Sequence, residues 1–584
     1  MDDVDAVQAQ IARNMLESGD WVTARLDGVP YLEKAPLIYW MIAGFYRVAG
    51  VHDWAARLPV AFGAIALACL TAAFGIWAFG RRAGLYAGVC VSTCVGLFLF
   101  TRILIPDVIL TGTIALAMWS FLRALEEDEP HPARWAATLA ASLAVGLLLK
   151  SLIGLVFPVG TALVYLAVTR QLFVRRTWTR LRPWSGILIV LAIAAPWHIL
   201  ATIRNPPYFV FTMRSAPGEY HGFFWFYFFN EQLLRFLNMR YPRDYDTVPR
   251  LYFWMFHLLW LFPWSVYFPA IGKLSFRPVD RAGRVRLFAL CWIGVVMVFF
   301  TFSTTQEYYS MPIYPALALL LGAVLAADER GMVVWVRRGT HVLSGVAGLA
   351  AVVVITILVF VRNLPTPGDI AGALTEHPAA YRLSLGHMED LTMASFAYLR
   401  LPLAVAAVAF LVGCLGTARA RRKWSFMAAA AMMVIFFHAA RLALVVFDPF
   451  MSSRPLANAL LASPPGKLIV NHHYYDFSSV FFYTNRSALL LNGRFNNLVY
   501  GSYAPTSAAV FIDDTQFEEL WRRPERCYLV VDRPRLGRIR NLKIGGSTAT
   551  LELDVVMASG GKFLLTNHPL THRSANRHEP QQGG

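Results

Sequence analysis

Three carboxylates, Asp2, Asp3 and Asp5, stand ahead of a run in which Val7, Ile11 and Met15 recur at four-residue spacing. That spacing puts the apolar residues on one face of a short amphipathic helix. Asp5 fits the cap of this helix and Gly19 fits its stop. A second polar piece follows, Tyr31-Leu32-Glu33-Lys34-Ala35-Pro36-Leu37, and Asp107, Lys150 and Glu307 stand further on at the edges of apolar runs. Ionisable residues beside membrane spans are costly to hold there, which makes them functional candidates. Asp107 follows Pro106 at the start of a run, where a carboxylate also complements a helix dipole.

Carboxylates beside a lysine on a membrane face suit glycosyl transfer from a lipid phosphate. The leaving group is a phosphate, and a nearby cation stabilises the charge that develops on it. A carboxylate can activate the acceptor as general base or stabilise an oxocarbenium-like centre. No cofactor is required by such a reaction when the sugar arrives on a lipid, and the sequence leaves a divalent metal open. His198, His257 and His438 lie in or near apolar runs and read as hydrogen-bonded core residues. His472-His473 could bind metal, but a pair alone is a weak signal. The six cysteines form no CxxC, so neither a zinc ribbon nor a disulfide framework is supported.

The elements that position these residues are membrane spans. The 584 residues are 57% hydrophobic and only 15% charged, and the mean hydropathy is +0.48. Soluble domains usually carry about 25% charged residues. The composition with its long apolar runs predicts a polytopic α-helical membrane protein. Twelve runs reach or approach the length of a span, near 57–79, 83–101, 105–124, 134–153, 155–170, 184–203, 250–272, 286–304, 308–327, 339–362, 401–418 and 425–446. The net charge of +17 is spread over short clusters between these runs, which argues for membrane lipids rather than nucleic acid as partners. Arg81-Arg82, the arginines of 170–182, the basic residues of 273–286, the arginines of 328–338 and 419–423 fall in every second connection. The positive-inside rule makes those cytoplasmic and places the acidic loop and the long loops on the other side. No basic leader precedes the acidic loop, so a further span is expected upstream of Met1, for about 13 in all.

Residues 1–56 then form a non-cytoplasmic acidic loop with interfacial helices, one of them Leu37 to Gly50. Residues 57–446 form the transmembrane domain, with a non-cytoplasmic aromatic and basic loop at 204–249. Its run Tyr220 to Phe229 suits a headgroup boundary, and Arg235, Arg240, Arg243 and Arg250 after it could bind lipid phosphates. Residues 447–573 change character: short β-rich runs at 467–470, 508–512, 527–531 and 562–565, and a helix from Gln516 to Arg523 capped by Asp514 or Thr515, predict a small α/β domain. The polar tail 574–584 is expected to be disordered.

At these residues the sequence resembles the integral-membrane glycosyltransferases of the GT-C fold. Within them it is similar to the bacterial aminoarabinose transferases that modify lipid A and, more distantly, to the protein O-mannosyltransferases. The marks are Asp2-Asp3-Val4-Asp5, Ala12 to Trp21, Tyr31 to Trp40, Ala56-Arg57-Leu58-Pro59, Pro106-Asp107, Pro196-Trp197, Phe262-Pro263-Trp264, and Tyr308-Tyr309 through Pro312 and Pro315. The resemblance implies that the acidic loop supplies the catalytic carboxylate, with Asp2, Asp3 and Asp5 all open. It implies that Asp107 is the second acidic site residue, that Lys34 beside Glu33 holds the carrier phosphate, and that Tyr308 or Tyr309 lines the same cavity. Arg235 is a phosphate-binding candidate by its loop position. The family loop often reads Asp-Glu with an arginine shortly after, whereas Val4-Asp5-Ala6 has none. The implied donor is a polyprenyl-phosphate-linked sugar such as undecaprenyl phosphate–sugar, used on the periplasmic side of a bacterial inner membrane. The acceptor stays open among lipid A, another glycolipid, a glycan and a protein. A transporter or flippase of lipid-linked sugars is the alternative, and it would place charges at mid-membrane.

Overall fold

The computed structural model describes all residues except 244–247, 328–329, 367, 369–391, 420–421, 545–546 and 571–584. The tail 574–584 therefore lies outside the described residues. Nine described helices are long and apolar enough to cross a membrane, or ten if the bent pair Arg250–Trp260 and Trp264–Ile271 counts as one. Twelve runs were expected; two of the three that differ are broken for a local cause, and the third is short, as its run in the sequence already is. The run 83–101 is split into α4 (Arg81–Ser92) and α5 (Val95–Phe100). At the break the Thr93 hydroxyl turns back onto Val89 O and also accepts from Trp264 Nε1 at 3.0 Å, and the Val95 amide donates to Phe262 O. The run 250–272 bends by 96° between Trp260 and Trp264. Pro263 in that bend has no amide hydrogen to continue a helix. The helix α8 (Ile153–Val168) has only 16 residues.

The N-terminal helix α1 (Asp3–Ser18) is capped by Asp2, whose Oδ1 accepts from the Asp5 amide at 2.8 Å, so the cap is Asp2 and not Asp5. Gly19 ends it in the left-handed conformation at φ 70°. Val7, Ile11 and Met15 are all buried, as their spacing requires. A two-residue hairpin, β1 (Arg25–Leu26) with β2 (Val29–Pro30), leads to α2 (Leu37–Ala49) and then to the long helix α3 (Asp53–Phe79).

Next come α6 (Asp107–Leu125) and α7 (Pro132–Lys150), which pack side by side. The turn from α7 into α8 is tight. A Cβ on Gly154 would fall 2.6 Å from Gly146 C, so only glycine permits this approach, which holds Lys150 at the turn.

The aromatic run after His221 is partly buried. It forms a short helix, Gly222–Phe224, and a π-helix, Trp225–Leu234, in which Trp225, Phe226 and Tyr227 are buried against Trp197 and Tyr500. Phe226 and Tyr500 stack with ring centroids 4.1 Å apart, which ties this loop to the C-terminal region.

That region carries a six-stranded sheet in the order β5-β4-β3-β6-β10-β9. The strands are β3 (Lys467–Asn471), β4 (Leu489–Leu491), β5 (Phe511–Ile512), β6 (Cys527–Asp532), β9 (Asp554–Ser559) and β10 (Lys562–Thr566), while β7 (Asn541–Ile544) and β8 (Ser547–Thr550) pair apart from it. Strands β5, β4, β3 and β6 are parallel, and β10 and β9 add antiparallel. The helix before β6 is Asp514–Trp521 and its cap is Asp513, in a capping box with Gln516, one residue earlier than expected.

Candidate active site

Two helix ends bring the first pair together. Asp107 begins α6 and Lys150 ends α7, and Lys150 Nζ is ion-paired and hydrogen-bonded to Asp107 Oδ1. Each charge also suits the dipole of its own helix end. Lys150 Nζ lies 4.9 Å and 4.8 Å from the ring centroids of Tyr308 and Tyr309. These tyrosines sit in a 3₁₀ turn, Glu307–Ile313, that leads into the helix Tyr314–Ala326.

The π-helix supplies the next layer. Arg235, at its end, donates to Glu231 Oε2 at 2.9 Å and to Tyr309 Oη at 3.0 Å. Glu231 is also held by Arg240 Nε. Arg240 reaches on to Glu33 Oε1 at 3.0 Å. Glu33 Oε2 in turn accepts from Asn497 Nδ2 at 2.8 Å and from Tyr31 Oη at 3.2 Å. Asp107, Lys150, Tyr309, Arg235, Glu231, Arg240 and Glu33 thus form one connected set. Burial opposes ionisation of Glu231, but Arg240, Arg235 and Lys34 together hold its carboxyl below the usual glutamate range. Burial works equally against the Arg235 charge, and Tyr309 with Glu231 overcomes it, keeping the guanidinium protonated.

Lys34 stands apart in one respect. Lys150, Arg235 and Arg240 each have a carboxylate partner, whereas among the described residues Lys34 Nζ has none within ion-pair distance. Its half-buried side chain lines a small cleft with Tyr31, Pro36, Tyr39 and Trp197. Its charge is felt at Glu231.

The three N-terminal aspartates take three separate positions. Asp2 caps α1 and lies 3.6 Å from Arg57 Nη2. Asp3 turns to the C-terminal sheet: it accepts from Lys562 Nζ at 2.6 Å, Ser453 Oγ at 2.8 Å and the Ser479 amide at 2.7 Å. Asp5 is buried, pairs with Arg57 at 2.5 Å and accepts from the Leu104 amide at 2.6 Å. That amide belongs to the turn that ends at Asp107. Burial, with Asp2 alongside, pushes the Asp5 carboxyl up to about 7, against the pull of Arg57 and the Leu104 amide.

Glu231, Asn497 and Arg57 belong to this constellation and were not among the expected site residues, and Arg240, expected to bind lipid phosphate, is instead paired with Glu231 and Glu33. A glutamate two residues past an aromatic run was the one available signal for Glu231. Among the described residues, no group of three or more His, Cys, Asp or Glu side chains is placed to hold a metal ion.

Comparison with known proteins places this architecture. The family description "Dolichyl-phosphate-mannose-protein mannosyltransferase" matches residues 33–200, the stretch holding Glu33, Lys34, Asp107 and Lys150. The undecaprenyl phosphate-alpha-4-amino-4-deoxy-L-arabinose arabinosyl transferase of Aeromonas salmonicida is 27% identical over 360 residues, which are 60% of this chain and 60% of that protein. The protein of the same description from Edwardsiella ictaluri is 24% identical over 96% of this chain and 93% of its own length. The crystal structure of ArnT from Cupriavidus metallidurans bound to undecaprenyl phosphate superposes with a TM-score of 0.74 at 23% identity, covering 98% of this chain and 95% of that one. The fold is therefore that of the GT-C integral-membrane glycosyltransferases. In sequence the chain resembles the aminoarabinose transferases and, over residues 33–200, the protein mannosyltransferases, and it spans about 60% of the length of the first of these relatives.

Proposed function

We propose that this protein is an integral-membrane glycosyltransferase that moves a sugar from a polyprenyl-phosphate donor to an acceptor on the non-cytoplasmic face of a bacterial inner membrane. One observation carries the reading. Lys34, a cation with no carboxylate partner among the described residues, stands beside a buried set of paired charges that includes Asp107 and Arg235. Paired charges are structural on their own account; an unpaired ammonium next to them suits an anionic ligand. Arnt-type relatives are named for an undecaprenyl phosphate donor, which offers such an anion.

In this reading an acceptor hydroxyl attacks the anomeric carbon of the donor sugar. The bond from that carbon to the carrier phosphate oxygen breaks, and its electron pair leaves with the phosphate. Lys34 meets the charge on the phosphate, with Arg235 behind it. Asp5, the carboxyl pushed up to about 7, takes the hydroxyl proton. Asp107, fixed by Lys150, faces the oxocarbenium-like centre. Asp3 serves as a clamp to the C-terminal sheet. The Arg-rich connections support the assignment of the site to the non-cytoplasmic face. A transporter would place its ionisable groups within the spans. Asp107, Lys150 and Tyr308 instead occupy helix ends.

The test is turnover by the purified chain in detergent, where transport has no meaning. Undecaprenyl-phosphate-linked aminoarabinose, mannose and glucose are supplied with a total glycolipid extract of the host. Release of undecaprenyl phosphate that is lost in Asp107→Asn supports the proposal. No donor consumption, or equal consumption by Asp107→Asn, rejects it. Mass spectrometry of lipid A, surface glycans and secreted glycoproteins after gene deletion then identifies the acceptor.

A further inference from the structure

The C-terminal sheet contains a topological switch point. The chain leaves β3 for β4 and β5 on one side, then crosses back so that β6 pairs with the other side of β3. In open parallel sheets the crevice outside the carboxyl ends of two such strands is where ligands bind. Here those ends are Asn471-His472-His473 after β3 and Asp532 at the end of β6.

These strand ends hold side chains that are bonded through one polar atom and leave another without a partner. Asn471 Nδ2, His472 Nδ1, His473 Nε2 and Asp532 Oδ1 are all buried atoms without a hydrogen-bond partner, and Asn471 as a whole is 1% exposed. Buried polar atoms are usually satisfied, and among the described residues these four gather at the carboxyl ends of two adjoining strands. His472 also adopts φ 67°, the left-handed region that non-glycine residues enter seldom. Arg535 bridges Asp532 and Asp476 and keeps the carboxylates in place. Phe495 packs on His472 and His473 at 4.3 Å and 5.1 Å and stays 38% exposed, presenting a ring at the lip.

The donor set selects the ligand. A phosphate dianion only accepts hydrogen bonds, so it cannot serve Asp532 Oδ1, and the nearby cations are already engaged, Arg535 by Asp532 and Asp476 and Arg538 by Asp514 and Asn471. A metal ion would need more converging ligands than the described residues supply. A hydroxyl both donates and accepts, so it can serve Asn471 Nδ2 and Asp532 Oδ1 at once. A ring bearing several hydroxyls, with an apolar C–H face to lay on Phe495, matches the whole set. The crevice is also joined to the candidate active site. His473 stacks on Tyr475 at 5.0 Å, Tyr475 Oη donates to Tyr31 Oη at 3.0 Å, and Tyr31 Oη donates to Glu33 at 3.2 Å.

We propose that the crevice at the ends of β3 and β6 is a saccharide subsite that holds the glycan portion of the acceptor, an inference that rests on the glycosyltransferase reading for its role but not for its ligand. Titration calorimetry of the full chain in nanodiscs tests the ligand, with β-1,6-linked glucosamine disaccharide and chitobiose as probes and inorganic phosphate and zinc as controls. The expected result is binding of a disaccharide that weakens about tenfold or more in Asp532→Asn and in Phe495→Ala. Phe495 is partly exposed, so its variant keeps the fold when the other does not. Absence of disaccharide binding, binding unchanged in Phe495→Ala, or binding of phosphate or zinc that depends on Asp532 overturns the proposal. In the transfer assay Phe495→Ala should raise the acceptor KM while kcat holds; a fall in kcat alone speaks against an acceptor subsite. If the wild type consumes no donor, the enzymatic reading falls, and the titration still decides the crevice.

Discussion

Lys150 and Asp107 are ion-paired across 43 positions of sequence, one closing α7 and the other opening α6, beneath the rings of Tyr308 and Tyr309. Both side chains are largely withdrawn from solvent. Removing one partner of such a pair leaves a buried charge uncompensated and costs about 3–5 kcal/mol, while replacing both by apolar groups is often neutral. Lys150→Met should therefore lower the melting temperature in detergent, and Asp107→Asn combined with Lys150→Met should restore it. Donor turnover should stay lost in the double variant. Thermal unfolding by intrinsic fluorescence and release of undecaprenyl phosphate separate the two effects. Recovery of turnover together with stability would show that Asp107 only packs.

Lys34 gives the opposite signature. Among the described residues it has no carboxylate partner to strand and acts on Glu231 only through its charge, so Lys34→Ala should lower the melting temperature less than Arg240→Ala does. A charge-assisted hydrogen bond to a phosphate contributes about 1.5–3 kcal/mol, which converts to a rise in donor KM of roughly 10- to 100-fold. Arg240→Ala should destabilise instead, because it leaves Glu33 and Glu231 buried without their shared cation. Steady-state kinetics against donor concentration, run beside the melting curves, distinguishes the two cations. A Lys34 variant with normal donor KM would remove the phosphate role.

The parts of this site differ in how legible they are in the sequence. Asp107 and the Glu33-Lys34 piece stand out because charges beside long apolar runs are expensive, and the runs themselves announce the spans. Glu231 does not, and Arg240 is legible only as a loop cation, since it meets Glu33 across 207 positions and only the folded π-helix brings them together. The breaks in two of the expected spans share a cause of the same kind. Trp264 Nε1 reaches Thr93 and the Val95 amide reaches Phe262 O, so each irregular run completes the other. The three aspartates show the limit most plainly. Within four positions, any one could cap α1, and the assignment of Asp2 to the cap, Asp3 to Lys562 and Asp5 to Arg57 is made by partners far along the chain.

Asp5 should give the reaction its pH dependence. Its carboxyl is pushed up to about 7 by burial and by Asp2. A base is active when deprotonated, so kcat/KM for the donor should rise with pH through about 7 and then level, and Asp5→Asn should lose most of the rate along with that limb. Asp3→Asn should keep the limb. Its cost should fall on stability, since Lys562 loses the carboxylate it is bonded to. Rate profiles from pH 5 to 9 decide this; an Asp3 variant that loses the limb while Asp5→Asn retains it would exchange the two roles.

Asp27 allows a test of electrostatics away from the chemistry. It sits at φ 48° in the β1–β2 turn, accepts from the Ala488 amide at 3.3 Å, and is pushed up to about 7 by burial. A free aspartate titrates near 3.9. Between those values the folded chain binds the proton more tightly than the unfolded one, so folding is favoured at low pH. That contribution declines as pH rises from about 4 and is gone above about 7, where the buried carboxylate is ionised. Asparagine tolerates the same left-handed backbone and can still accept from Ala488 without carrying charge. Asp27→Asn should therefore raise the melting temperature at pH 8 and change it little at pH 4. The sign comes from desolvation alone, so a variant that is less stable at pH 8 would mean that the ionised carboxylate is held by more than the Ala488 amide and Ser487.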